Sequence, residues 1–153
     1  MRLLVLSDSH GDAISCRAAI RRHPEAEFLI HLGDGADDLD FLHADIGDKK
    51  LVRIRGNNDW SNTYPLQYIL NTCGKRIYCC HGHMEGVKRA LDGFVANAME
   101  ARCDIALYGH THIQHYEKFE GLHIFNPGSI RAGCYGAIDV ADGGIMCLEM
   151  RLR

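Results

Sequence analysis

The sequence predicts an α/β fold, and three observations carry that expectation. Apolar runs and a helical pattern alternate in the order βαβαβ over the first third of the chain. The remainder is rich in short strands punctuated by Gly-containing turns such as Glu120-Gly121, Pro127-Gly128 and Asp142-Gly143-Gly144. Finally, each conspicuous polar cluster follows directly on one of the predicted strands.

Taken in order, RLLVLS at residues 2–7 is a short Leu- and Val-rich run ended by a polar turn, which fits a strand buried on both faces. Asp12 is placed to cap a helix over AISCRAAIRR, which stops before His23 and Pro24. EFLIHL is the second strand, and the Asp-rich GDGADDLDFL after it predicts a loop and a short helix. LVRIRG is the third strand. LQYILN and KRIYCC flank TCG and predict a β-hairpin, followed by an amphipathic helix from about Glu85 to Ala101. DIALYG, HYEKFE, GLHIFN, AGCYGAIDV and GIMCLEMRL then complete a strand-rich, largely antiparallel second half. No linker or repeat interrupts the chain, so residues 1–153 are expected to form one domain.

Composition narrows the function. With 46% hydrophobic and 24% charged residues, a packed soluble fold is expected and a disordered chain is not. A net charge of -3 without a basic stripe gives no pull toward long nucleic acids, which weakens a nuclease reading. The apolar run in MRLLVLSDSHGD is too short for a signal-peptide core or a spanning helix, so a cytoplasmic protein without membrane contact is expected. Seven cysteines form an odd set with no CxxC pair, which points to reduced, mostly buried thiols. In a strand, one of Cys79 and Cys80 must face away from the core, leaving redox sensing as a secondary reading there.

The polar clusters point to metal chemistry. Asp8 and His10 follow the first strand, Asp34 the second, Asn57 the third, His81 the hairpin, and His110 with His112 the strand after it. In an α/β sheet these strand ends converge on one edge, the usual position of a ligand site. Both DxH and HxH place two donors at i and i+2, on one side of the chain if the segment is extended. A lone HxH is commonly a surface turn, but five clusters at one edge are not. Mixed oxygen and nitrogen donors suit Mn, Fe, Zn, Co or Ni better than Ca or Mg. Asp34 has oxygens enough to bridge two ions, and seven donors serve two ions with positions left open.

In that order and in those strand contexts, DSH, GDGAD, GNND, HGH and GHTH resemble the calcineurin-like metallophosphoesterase superfamily. The likeness is nearest to its small bacterial and archaeal phosphodiesterase branch, which lacks cap domains. It covers the chain from residue 1 to NPGS at Asn126–Ser129. It implies a two-sheet mixed β-sandwich flanked by helices. It also implies that Asp8, His10, Asp34 and His112 hold one ion, and that Asp34, Asn57, His81 and His110 hold the other. The implied activity is hydrolysis of small phosphodiesters, with two divalent transition-metal ions, manganese foremost, as cofactors and a homo-oligomer as the common state of the branch. The other class the resemblance allows is a metal-binding protein-interaction scaffold with little catalysis.

Two ions roughly 3.5–4 Å apart lower the pKa of a bridging water and stabilise the charge that builds on the phosphoryl oxygens. Many members of the superfamily carry histidine after the ligand asparagine, where it touches the phosphate and can protonate the leaving group. This chain has Asn58 there, and an amide donates a hydrogen bond but not a proton. Catalysis by Asp34, Asn58 and His83 is therefore expected either to depend on leaving groups of low pKa or to use His83 as a substitute acid.

The remaining polar residues have plainer readings. Asp12, Asp37 and Asp38 read as caps and solvated helix-start charges, and Asp59 as either an orienting group or a turn former. His23, His31, His43, His115 and His123 match no motif and read as surface or core histidines. Trp60 and Tyr64 fit a packed loop better than a pocket wall. Gly109 and Gly128 are expected to serve backbone geometry near the site, and Ser129 is not expected to be a nucleophile.

Overall fold

The computed structural model describes residues 1–153, and in it the pleat of β1 (Arg2–Leu6) divides a continuous apolar run between two environments. Leu3 and Val5 point into one cluster, Leu4 and Leu6 into another, and all four are fully buried. α1 (Ala13–Arg22) starts where Asp12 Oδ1 accepts from the Ser15 amide at 2.9 Å. β2 (Phe28–His31) then lies parallel to β1, with Leu4 opposite Leu29. A 3-10 segment (Ala36–Phe41) and the single turn α2 (His43–Ile46) lead to β3 (Lys50–Arg53), parallel to β2.

The chain next builds a second sheet from β4 (Gln67–Thr72), β5 (Lys75–Cys80), β6 (Ile105–Leu107), β7 (Gln114–Phe119) and β8 (Leu122–Pro127), with α3 (Asp92–Glu100) between β5 and β6. β9 (Cys134–Ala141) and β10 (Gly144–Arg151) return to the first sheet. The strand orders are β10-β9-β1-β2-β3 and β4-β5-β6-β8-β7. One apolar cluster, including Val5, Ile30, Leu32, Ile77, Leu107 and Phe125, draws on both sheets and forms the sandwich interior. A second packs α1 on the outer face of the first sheet, and a third seats Phe94 and Ala98 of α3 on the outer face of the second. The result is a two-sheet mixed sandwich flanked by helices, as expected.

Three expectations need correction. The helix placed at Glu85–Ala101 begins only at Asp92, because Gly86 takes a left-handed φ of +66° and residues 83–89 form turns instead. The second half is mixed rather than largely antiparallel: β6 pairs parallel with β5, because the chain crosses over through α3, and parallel with β8, because β7 runs back between them in the chain. The aromatic stretch is not a packed loop at Trp60, which is 98% exposed. Tyr64 instead donates its hydroxyl proton to Asp37 at 2.8 Å and lies against Arg53. Cys79 and Cys80 do face opposite ways, but α3 covers the second face, so both are buried and burial raises both thiols.

Candidate metal centre

The strand ends that converge here are tied together through their backbones. Asp8 and His10 in the loop after β1 donate their amides to Gly33 and Asp34 in the loop after β2, at 3.0 and 3.1 Å. Gly109 after β6 donates to His81 after β5 at 3.0 Å. His110 donates its amide to Asp8 Oδ2 at 3.0 Å, joining the loops of the two sheets. Ser129 Oγ donates to the Asp8 carbonyl at 2.8 Å, and Asn126 Nδ2 to the Gly109 carbonyl at 3.0 Å. The sandwich thus supplies acids from one sheet and most of its histidines from the other.

This lacing forces an unusual backbone. Asp8, His10, Asp34, His110 and His112 all have positive φ, between 45° and 68°. The i, i+2 pairs are therefore not extended, which corrects the geometry expected for DSH and GHTH. Left-handed residues other than glycine cost on the order of 1–3 kcal/mol each, and they persist where surrounding bonds over-determine them. Close approach also explains two glycines: a Cβ at Gly56 would lie 2.1 Å from Asp34 Oδ1, and one at Gly109 would lie 2.0 Å from Ser7 Oγ.

Six of the seven predicted ligands form two triads. Asp8, His10 and His112 make one, Asp34, His81 and His110 the other, and the donor atoms within each lie within 4.8 Å of one another. His110 and His112 fall in different triads despite their spacing. Asp8 Oδ1 is 3.1 Å from His112 Nε2 and 3.7 Å from His10 Nε2, while Asp34 Oδ2 is 3.4 Å from His81 Nε2. The triads adjoin, since His81 Nε2 is 3.9 Å from Asp8 Oδ1 and His10 Nε2 is 3.9 Å from Asp34 Oδ2. Asn57, the seventh, is exposed on the turn after β3 and its side chain makes no hydrogen bond.

The donor set fits cations. Asp8 Oδ1 and His81 Nε2 are buried without any hydrogen-bond partner, while the other face of each group is already committed. Asp8 Oδ2 accepts from Ser7 Oγ at 2.6 Å as well as from His110, and His81 Nδ1 donates to the Leu32 carbonyl at 2.8 Å. That donation leaves the His81 lone pair on Nε2, aimed at the carboxylates, the orientation a metal-binding imidazole requires. His10 Nε2 and His112 Nε2 approach to 3.3 Å, a convergence of ring nitrogens that calls for a proton or a cation between them.

Electrostatics agree. Burial opposes ionisation of Asp34, but His81 and the hydrogen bonds from Asn58 outweigh it and hold the carboxyl well below its usual range. Burial lowers the pKa of His81, yet Asp34 and Asp8 raise it more, for a net upward shift. His110 is pushed down to about 4 by burial and by the neighbouring His81 and Lys88. His83 is lowered by burial and by His81, its ring 5.4 Å from that of His81, and its Nδ1 is buried without a partner.

Asn58 donates twice to Asp34, from its amide to Oδ1 and from Nδ2 to Oδ2, both at 2.8 Å. Asp59 takes the orienting role: Oδ2 accepts from the amides of Asp34 and Gly56, Oδ1 from that of Gly35, at 2.7–2.8 Å. A second brace was missed in the sequence. The Gly33 amide donates to His31 Nδ1 at 3.2 Å, so His31 Nε2 donates to Ser9 Oγ at 3.0 Å, and Ser9 Oγ donates to Asp38 Oδ2 at 2.6 Å. Asp38 Oδ2 also takes the Gly11 amide at 2.9 Å, which fixes the turn bearing His10. The available signal was a short hydrogen-bonding residue beside each ligand: Ser7, Ser9 and Asp59.

Outside the triads, the exposed edges of His10 and His112 open onto a shallow cavity of about 480 Å³ that also meets Ser129, Arg131 and Ala132.

With fold and donors in place, the class follows: the chain belongs to the calcineurin-like phosphoesterase superfamily, whose domain model matches residues 1–143. Among particular proteins, it is 33% identical over 132 residues to the probable metallophosphoesterase YsnB of Bacillus subtilis, covering 86% of this chain and 76% of that one. A structure described as a novel archaeal phosphodiesterase superposes with a TM-score of 0.78 at 18% identity, over 98% of this chain and all of the other. Vps29 of Entamoeba histolytica in complex with zinc superposes with a TM-score of 0.75 at 16% identity, over the full length of both chains. The family is metal-dependent and hydrolyses phosphoesters.

Proposed function

We propose that this chain is a dinuclear metal-dependent phosphodiesterase acting on small phosphodiesters. The observation that carries the reading is the pair of adjoining oxygen and nitrogen triads whose buried atoms, Asp8 Oδ1 and His81 Nε2, have no partner in the chain. In this reading Asp8, His10 and His112 hold one ion, Asp34, Asn57, His81 and His110 hold the other, and Asp34 reaches both. The donor chemistry suits manganese, with zinc, iron, cobalt or nickel as alternatives. Two such ions supply Lewis-acid activation of water and neutralise charge on the phosphoryl group.

The chain's own residues do the rest. Leu32 fixes the His81 ring, Asn58 keeps the Asp34 carboxylate oriented and ionised, and Asp59 holds the Asp34 loop. Asn58 offers no transferable proton. The lowered pKa of His83 leaves its imidazole mainly neutral near pH 7, which favours dependence on leaving groups of low pKa over a substitute acid. Hydrolysis of bis(p-nitrophenyl) phosphate with added manganese, abolished by EDTA and by Asp34→Asn, is the expected result; metal binding without turnover would favour the scaffold reading. His83→Ala is expected to slow poor and good leaving groups alike by a small factor. A selective loss with poor leaving groups would restore His83 as the acid.

A further inference from the structure

We propose that the ester taken at this centre carries a second phosphate, seated on Arg131 and Arg151 beside the triads. The inference rests on the phosphodiesterase reading and names its substrate class. Its starting point is that Arg131 lines two adjoining cavities: the one of about 480 Å³ that His10 and His112 open onto, and one of about 250 Å³ lined also by Ser15, Arg151 and Arg153. Arg131 and Ala132 thus separate the cavity at the open triad from a second, cationic hollow beside it. No acidic side chain lines either cavity, and none of the three guanidiniums forms an ion pair or side-chain hydrogen bond. In a chain of net charge -3, three exposed arginines without acidic partners around one hollow form a local cationic patch suited to an anion.

The backbone segments that carry Arg131 and Arg151 are fixed, while the guanidiniums themselves are exposed. Arg131 sits in a 3-10 turn (Ile130–Ala132) pinned to the loop after β1, where the Ile130 amide donates to the Ser7 carbonyl at 2.9 Å and Ser129 Oγ to that of Asp8. Arg151 ends β10, and the next residue, Leu152, donates its amide to the Gly133 carbonyl at 2.8 Å. Arg22 of α1 gives its own guanidinium to the carbonyls of Arg151 and Leu152, at 3.1 and 2.5 Å. One cation is thus used to fix the backbone that presents others. Sequence reading finds no basic stripe because residues 131, 151 and 153 are gathered only by folding. Planar guanidiniums with several parallel donors match the oxygens of phosphate and carboxylate anions, and beside a centre read as acting on phosphoesters the anion is assigned as phosphate.

Two measurements test this. The first is calorimetric titration of inorganic pyrophosphate into metal-free protein, which needs no turnover. Arg131→Ala and Arg151→Ala are each expected to weaken binding about tenfold, while Arg102→Ala, on a distant turn, leaves it unchanged. The second compares p-nitrophenyl thymidine 5′-phosphate with its 3′-phosphorylated form on the manganese-loaded enzyme. The wild type is expected to favour the doubly phosphorylated ester in kcat/KM about tenfold, and Arg131→Glu to reduce that ratio to one or below. No pyrophosphate binding to the wild type, or equal binding by all variants, overturns the proposal, as does an unchanged selectivity ratio in Arg131→Glu. Pyrophosphate binding that depends on Arg131, with neither ester hydrolysed, instead leaves the anion site standing and removes the phosphodiesterase reading.

Discussion

The two triads use the same donor types, yet differ in how the chain treats them. Asp34 and His81 lie under protein while His110 is half-buried: His81 is fully buried, Asp34 is 2% exposed, and these two each have a fixed hydrogen-bond partner behind them. Asp8 is equally buried, but its partners His10 and His112 have side chains 23% and 48% exposed, and neither ring has a carbonyl behind it. The Asp34–His81 part of one triad is preorganised and dry, while the other triad opens onto the cavity that Arg131 lines. On the dinuclear reading proposed above, the inner triad would retain its ion while the outer one would exchange its ion and meet substrate. Each has its own brace, Asp59 behind the Asp34 loop and the His31–Ser9–Asp38 chain behind the His10 turn.

The sharpest way to break the comparison is Asp34→Asn, which removes charge from one of the two carboxylates near both triads. A lost metal contribution of about 4 kcal/mol to the transition state corresponds to a roughly thousandfold fall in rate. Initial rates with a chromogenic diester at saturating manganese measure it. A variant within tenfold of wild type would mean that Asp34 does not organise the centre.

The next effect lies in the brace of the outer triad and is read through pH. Burial pushes the His31 pKa down to about 4 from an ordinary 6.5. The unfolded chain therefore binds the proton more readily than the folded one. The stabilising contribution is complete above pH 6.5 and is lost as pH falls toward 4, by about 3 kcal/mol. Protonation would also replace the acceptor that Nδ1 offers to the Gly33 amide. Urea unfolding at pH 7, 5.5 and 4 should show His31→Gln flattening this decline relative to wild type. Because His110 and His83 titrate with the same sign, only the difference between the two proteins reports on His31.

How much of this was legible beforehand depended on the kind of information. β1, β2, β6 and the β4–β5 hairpin follow from apolar runs and turn residues, because burial on two faces leaves a local compositional mark. The strand ends that converge on the centre follow from the same pattern, so Asp8, Asp34, His81 and His110 could be gathered at one edge. The left-handed backbone of five ligands could not be foreseen, since it is imposed by bonds between loops far apart in sequence, such as His110 to Asp8. The break at Gly86 was missed because helical periodicity was weighed above one glycine's backbone. His31 matched no motif, as a histidine that braces a ligand loop from inside the sheet has no spacing of its own.

A smaller effect is expected at the brace of the inner triad. Asp59→Ala leaves the amides of Asp34, Gly35 and Gly56 without their acceptor, so the loop that carries Asp34 loosens. Removing such a supporting partner typically costs 10–100-fold in metal affinity. Manganese titration calorimetry should show that loss in the tighter of two binding steps. If only the weaker step moves, the brace serves the outer triad and the pairing of braces with triads is wrong.

The smallest effect tests the ranking of the two triads. His112→Ala removes a half-exposed ring whose place water can take, so the tighter manganese step is expected to stay within about threefold of wild type. His81→Ala removes a buried ring fixed through Nδ1 and leaves Asp34 and Asp8 without the imidazole that both approach, so that step should weaken about 10–100-fold. The two rings offer the same nitrogen to the same kind of ion, and only burial and the Leu32 carbonyl distinguish them. Equal losses would therefore mean that the ions bind as one unit through the shared carboxylates, and that the dry and open halves are not separate sites.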